Sequence, residues 1–340
     1  MDRTPHGAPP QYRAGLTPLG AGVWVWLQPN GDWGETNAGL VVGGDASLLV
    51  DTLWETRLAA GLLDAVGSRT PRSPVATVVN THRDGDHWWG NAALPAEAEI
   101  WASAACAAEM AVEPPPSSLH RLACVARLGA RVPGRAGDLP RYTDAMLRPF
   151  SFRDVRTRLP DRTFTGEHTL DAGGRAVRLI EVGPAHTAGD AIVHVPDAGV
   201  VFAGDILFAG STPIVWHGPI AGWLAALDRL LACDAEVYVP GHGPLCGPTE
   251  VRALRGYWTW LVAAADAQHD RGRTATEALR ELVRDPDFAP YRRWLAPERL
   301  AINVLARYRE LAGEPPAATT AVTRARLFAR VAATRRLLAD

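Results

Sequence analysis

The run Thr81-His82-Arg83-Asp84-Gly85-Asp86-His87 constrains this chain more than any other stretch. It follows Val75-Ala76-Thr77-Val78-Val79-Asn80, an apolar run that reads as a buried strand. Four candidate ligands, His82, Asp84, Asp86 and His87, then lie within six residues on the loop that the strand delivers. Imidazoles and carboxylates in this pattern point to a metal, because no Ser or Cys among them offers a nucleophile. Gly85 is expected to let the backbone turn tightly enough for these side chains to converge. The competing reading is a solvated polar turn, and it weakens as further donor segments accumulate along the chain.

Those segments come in order. Leu48-Leu49-Val50-Asp51-Thr52 is an early strand ending in a carboxylate. Gly183-Pro184-Ala185-His186-Thr187-Ala188-Gly189-Asp190 carries a further His, and Val200-Val201-Phe202-Ala203-Gly204-Asp205 ends a strand on an Asp. Val237-Tyr238-Val239-Pro240-Gly241-His242-Gly243 carries the last His. Together with Asn80-Thr81 before the first run and Gly90-Asn91 after it, these motifs resemble the metallo-β-lactamase superfamily. Its signature loop is HxHxDH. The resemblance spans roughly residues 20 to 250, and one position departs from it: Asp84 stands where the family usually has its second His.

The resemblance implies an α/β (α+β) fold, a four-layer αββα sandwich with strand-terminal loops gathering the ligands at one edge. It implies two metals per chain, expected to be Zn2+. One would be held by His82, Asp84 and His186, the other by Asp86, His87 and His242, with Asp205 bridging. Asp86 and Asp205 would be the catalytic carboxylates. Two such ions can share a hydroxide, acidify it, and clamp a carbonyl or phosphoryl oxygen. Asp205 closes an apolar strand, where an uncompensated carboxylate would be costly. A carboxylate at Asp84 adds charge and a harder donor, which favours Fe or Mn relative to zinc and leaves one or two occupied sites open. Asp84 could instead support a ligand His from behind. Asp51 is expected to brace the metal loop from beneath. Asp190 either supports a ligand or simply starts a strand.

Composition narrows the function. Among the 340 residues, 35 are basic, all Arg, against 37 acidic. A net charge of −2 gives neither a nucleic-acid footprint nor a polybasic membrane patch. The absence of Lys rules out a lysine Schiff base. Cys106, Cys124, Cys233 and Cys246 are scattered, which suits free thiols in a reducing cytoplasm. No apolar leader follows Met1 and no run is long enough to span a bilayer. The expected partners are a small-molecule or acyl-thioester substrate, with no nucleic acid and no membrane.

Along the chain, residues 1–18 read as a flexible N-terminal arm, 19–250 as the sandwich, and 251–340 as a C-terminal helical extension. Strands are expected near 23–27, 38–43, 47–51, 75–80, 168–170, 176–182, 191–195, 200–203 and 235–239. Helices are expected at 55–66, 103–111, 139–150, 219–232, 251–269, 274–284, 297–311 and 320–338. Residues 113–165 form an irregular insertion, broken by Pro114-Pro115-Pro116, that either shapes a pocket or is a surface excursion. The Arg-rich last helix either packs on a partner subunit, making a homo-oligomer, or shields the sheet.

Trp33, Trp88, Trp89, Phe208, Trp216 and His217 lie on loops that could face the ligand edge, suggesting an aromatic-lined substrate pocket. One of the adjacent pair Trp88 and Trp89 is expected to be core packing. The resemblance then implies a metal-dependent hydrolase acting on a thioester, ester or lactone of a bulky apolar acyl group. Alternatives within the superfamily are a polyketide thioesterase/cyclase, a mononuclear iron persulfide dioxygenase-like oxidoreductase, and a β-lactamase. A non-catalytic metal-binding scaffold is the remaining class.

Overall fold

Central strands buried on both faces organise the computed structural model, which describes residues 3–316 and 320–339. The first sheet contains β1 Gly15–Gly20, β2 Val23–Leu27, β3 Ala38–Val42, β4 Ser47–Val50, β5 Val75–Val79, β6 Glu99–Ser103 and β7 Arg162–Phe164, in that order. Pairing is antiparallel up to β4 and parallel from β4 through β7. The second sheet contains β8 Glu167–Asp171, β9 Ala176–Glu181, β10 Ala191–Val195, β11 Val200–Phe202 and β12 Val237–Val239, ordered β12-β11-β10-β9-β8.

The inner faces of the two sheets share one apolar layer. Val25, Val41, Leu48 and Val79 of the first sheet meet Val177, Leu179, Val193 and Phe202 of the second. Outside the first sheet, Leu40, Leu49 and Val78 pack with Leu62 and Val66 of helix α1, Thr56–Gly67. Outside the second, Ile180, Ile192 and Val201 pack under α6 Ile220–Leu231, α7 Pro248–Asp270, α8 Ala275–Arg284 and α9 Leu300–Leu311. The result is the expected four-layer αββα sandwich with a helical extension. Burying apolar area from both faces of each sheet is what requires four layers.

Three parts differ from the sequence expectation. The arm at 1–18 is not free: β1 occupies Gly15–Gly20, and Thr4 is buried. The Gln11 N–H donates to Asn30 Oδ1, and the Tyr12 hydroxyl donates to the Gln28 carbonyl. Short polar anchors, rather than an apolar pattern, hold this segment, so periodicity misses it. Second, the triple proline does not only break the chain. Pro116 opens α4, Pro116–Gly129, at a position whose N–H is spare in any helix. α3 Ala104–Val112 leads up to the insertion, and α4 with α5 Asp138–Leu147 makes its first half largely helical. Third, the last helix, α10 Ala321–Ala339, does not cover a sheet. It packs on α5 and α9.

Candidate metal centre

β5 ends at Val79, and the ligand loop begins two residues later. His82 and Asp84 lie on the loop, while Asp86 and His87 belong to the single-turn helix α2, Gly85–Trp88. Gly85 is not there for backbone freedom. A Cβ on it would sit 2.4 Å from the Trp89 ring, so it makes room for that indole. His186 follows β9 and precedes β10. Asp205 follows β11, and His242 follows β12.

All seven expected donors converge. His82, Asp84 and His186 form one set and Asp86, His87 and His242 another, the donor atoms of each set lying within 4.8 Å of one another. Asp205 joins His82 and His87 in a third overlapping set. Its Oδ1 is 3.1 Å from His87 Nε2, and its Oδ2 is 3.4 Å from His186 Nε2 and 3.5 Å from His242 Nε2. It therefore faces both triplets. Gly241 is required beside it, since a Cβ there would lie 1.9 Å from Asp205 Oδ1.

Each imidazole is oriented through its far nitrogen. His87 Nδ1–H donates to Asp51 Oδ2 at 2.8 Å, and His186 Nδ1–H to the Ile214 carbonyl at 2.6 Å. His242 Nδ1–H donates to the Asp32 carbonyl at 3.1 Å, and His82 Nδ1–H to Thr81 Oγ1 at 3.0 Å. The Thr81 hydroxyl in turn donates to Asp51, whose other oxygen accepts the Thr81 N–H. Asp51 thus braces the loop from beneath, as expected. Asp190 accepts the Thr187 N–H and hydroxyl and so fixes the turn carrying His186. These partners leave every Nε2 pointing inward, the arrangement that prepares histidine for a metal.

The donor set fits a divalent metal. His82 Nε2, His87 Nε2 and Asp205 Oδ1 are buried and have no hydrogen-bonding partner among the described residues. Such orphaned groups are costly unless a cation completes them. Electrostatics agree. Burial opposes charge on Asp205, yet His242, His87 and His82 hold its carboxyl well below the usual range. Burial likewise opposes charge on His186, but Asp84 and Asp205 prevail and push it up to about 9. Asp84 Oδ2 lies 3.1 Å from His186 Nε2 and accepts the Trp216 indole N–H at 2.8 Å.

A cavity of 460 Å3 opens over the donors, with Asp84, Asp86, His186, Asp205 and His242 at its floor. Trp33, Trp89, Phe208 and Trp216 line it, as expected from sequence. Trp88 does not. Its ring is buried behind the loop, and its indole N–H donates to the Arg83 carbonyl. His217 is also elsewhere: it lines a separate cavity of 250 Å3 on the far side of Trp216. Trp216 stands between the two cavities and borders both, a placement that residue type cannot reveal.

Sequence reasoning missed much of the wall. Leu119, Leu122 and Val125 of α4, Met146 and Leu147 of α5, Trp54, and Phe328 of α10 all face the cavity. The 3–4 residue spacing of the α4 positions was the available signal. Phe328 sits 5.5 Å from the Trp33 ring and 6.4 Å from Trp216. Arg299, Arg324 and Glu113 supply charge to the same walls.

Two stacked sheets between helical layers, with four imidazoles and three carboxylates gathered at one edge, define an αββα fold with a candidate metal centre. The chain belongs to the metallo-β-lactamase superfamily, whose family description matches residues 31–242, more than half of it. It is 27% identical over 229 residues to the 2,4-dinitroanisole O-demethylase subunit alpha of Nocardioides sp. (strain JS1661), covering 66% of this chain and 58% of that protein. It is 39% identical over 84 residues to the hydroxyacylglutathione hydrolase of Brucella ovis, covering 24% of this chain and 32% of that one. The chain therefore spans well under two thirds of these curated relatives. In fold it is similar to a stereoselective inverting sec-alkylsulfatase from Pseudomonas sp., with a TM-score of 0.68 at 19% identity, over 88% of this chain and 50% of that one. It is similar also to a metallo-β-lactamase from Pontibacter korlensis, with a TM-score of 0.52 at 19% identity, over 73% and 99%. No described helix is long and apolar enough to cross a membrane.

Proposed function

We propose that this chain is a metal-dependent hydrolase that cleaves a thioester, ester or lactone of a bulky apolar acyl group. The observation that carries the reading is the placement of the donor cluster at the floor of a 460 Å3 cavity with mostly apolar walls. His82, Asp84 and His186 would hold one ion, Asp86, His87 and His242 the other, and Asp205 would face both. When bound, such ions supply Lewis-acid polarisation and a nucleophile at neutral pH. Zinc suits the imidazole-rich sets, whereas Asp84 moves its own set towards iron or manganese.

The chain's own groups orient and exclude. Leu119, Leu122 and Met146 take the acyl body, and Trp89 and Trp216 flank the path to the donors. The apolar wall keeps bulk water from the reacting carbonyl and strengthens every charge inside. Asp51, Asp32 and the Ile214 carbonyl keep the imidazoles aimed, so little reorganisation accompanies reaction.

The test is a series of p-nitrophenyl esters and matching thioesters from acetyl to decanoyl, with metal-reconstituted protein. kcat/KM should rise with acyl length. Best turnover on acetyl, or none on any member, would reject the reading. A second substrate class, an aryl ether, is favoured by the aromatic rings around the cavity and by the likeness to the dinitroanisole demethylase. Including 2,4-dinitroanisole in the series separates the two. An oxygen-uptake assay on the iron-loaded protein addresses the oxidoreductase alternative that Asp84 raises.

A further inference from the structure

One charged group in the cavity wall has no counterpart. Arg324, in the first turn of α10, is half-buried and lines the cavity shared with the metal donors. Salt bridges join many of the chain's arginines to carboxylates, but among the described residues none lies within 4.0 Å of Arg324. Glu113 shares this wall without an ion pair to Arg324, and in the neighbouring cavity that Arg324 also borders, Glu310 pairs with Arg307 and Glu314 with Arg309. Arg299, the other guanidinium of the cavity, is different. It donates to the Thr212 carbonyl at 3.2 Å, stacks on Trp33 at 4.2 Å and lies 3.5 Å from Asp32, which ties the extension to the loop whose Asp32 carbonyl holds His242.

An unpaired guanidinium beside apolar walls is unfavourable in the empty protein and gains most from an incoming anion. Its planar fork matches a carboxylate or sulfate with two parallel hydrogen bonds. We propose that Arg324 reads an anionic headgroup, carboxylate or sulfate, so that the cavity takes an anionic amphiphile. The apolar body would lie along α4, α5 and Phe328, with the scissile bond towards the donors. A neutral substrate of the same length would cover the guanidinium without pairing it. This inference rests on reading the cavity as the substrate site.

Calorimetric titration of the metal-loaded protein with decanoate, decyl sulfate and decanol tests it. At least one anion should bind about tenfold tighter than decanol, or about 1.4 kcal/mol, and the tighter of the two identifies the headgroup. Arg324→Gln should erase that advantage and leave decanol unchanged, while Arg324→Lys should keep part of it. An undiminished anion advantage in Arg324→Gln would place the headgroup on the donors and overturn the proposal. So would the lack of any anion advantage in the unsubstituted protein. Hydrolysis of neutral p-nitrophenyl decanoate is followed in parallel. Turnover without Arg324-dependent anion binding sinks this inference alone. Arg324-dependent anion binding without turnover of any ester supports it and sinks the hydrolase reading.

Discussion

At the scale of single residues, Asp84 and Asp205 carry the chemistry that distinguishes this centre. Asp205 faces both donor triplets from a buried site, so Asp205→Asn should lose metal from both without opening the core. Elemental analysis should fall well below the unsubstituted protein while the circular dichroism spectrum is kept; full metal content would remove Asp205 from the centre. Asp84 is held by the Trp216 indole as well as by its place among the donors. Exchange to His should tighten zinc and weaken manganese, because imidazole suits the softer ion. Trp216→Phe should weaken metal at that site by about tenfold, the usual cost of losing a ligand's outer partner. Competitive chelator titration with both metals reads the two substitutions, and identical affinities throughout would take Asp84 out of the coordination sphere. Protons belong to the same balance. His186, with its pKa raised from 6.5 to about 9 by Asp84, keeps its proton near neutrality until a metal displaces it. Metal uptake at pH 7 should therefore release protons, visible as a binding heat that changes with the ionisation heat of the buffer.

Among the elements, the strands and turns that hold donors were legible, as were the wall helices α5 and α10, whereas the wall helix α4 and the direction that wall residues face were not. Each donor sits just beyond an apolar strand or turn, so short-range pattern locates it. The side a residue faces is a different matter. Trp88 and Trp89 are adjacent on one short turn, yet the first is locked behind the loop by Arg83 and only the second meets the cavity. Trp216 borders both cavities, whereas His217 borders only the smaller one away from the donors. α4 was hidden because three prolines read as a stop, although one of them starts the helix. β1 was hidden because Gly15, Pro18 and Gly20 interrupt its pattern and none of its residues is fully buried, although it forms a hairpin with β2. If α4 and Phe328 set the acyl length, Leu119→Trp should fill the cavity and lower kcat/KM for decanoyl esters far more than for butanoyl. An equal fall on both would show that the substitution harms the centre rather than the wall.

For the whole molecule, the donors couple metal to stability. Four imidazoles and three carboxylates converge at one edge, and folding supplies the geometry that the unfolded chain lacks. An ion present at about a thousand times its dissociation constant adds roughly 4 kcal/mol to stability. Chelation should therefore lower the melting temperature by several degrees. The sign of the pH effect depends on loading. In the chelated protein, His186 has a folded pKa above its unfolded value. Its contribution is full below pH 6.5 and fades as pH rises through about 9. In the loaded protein the same imidazole must be neutral, so acid weakens the ion's hold. Melting scans at pH 6 and pH 9.5 with and without chelator should show the loss on chelation growing with pH. A loss independent of pH would mean that His186 does not titrate as its surroundings dictate.

The family match ends at His242, the last donor, whereas Arg299, Arg324 and Phe328 all come after it. One stretch of chain supplies every donor and much of the wall, and the later one adds Arg299, Arg324 and Phe328 above them. Diversification can then proceed by exchanging the later helices while the chemistry is inherited intact. Grafting the tail of one such protein onto the sandwich of another becomes a route to new selectivity without rebuilding the reactive edge.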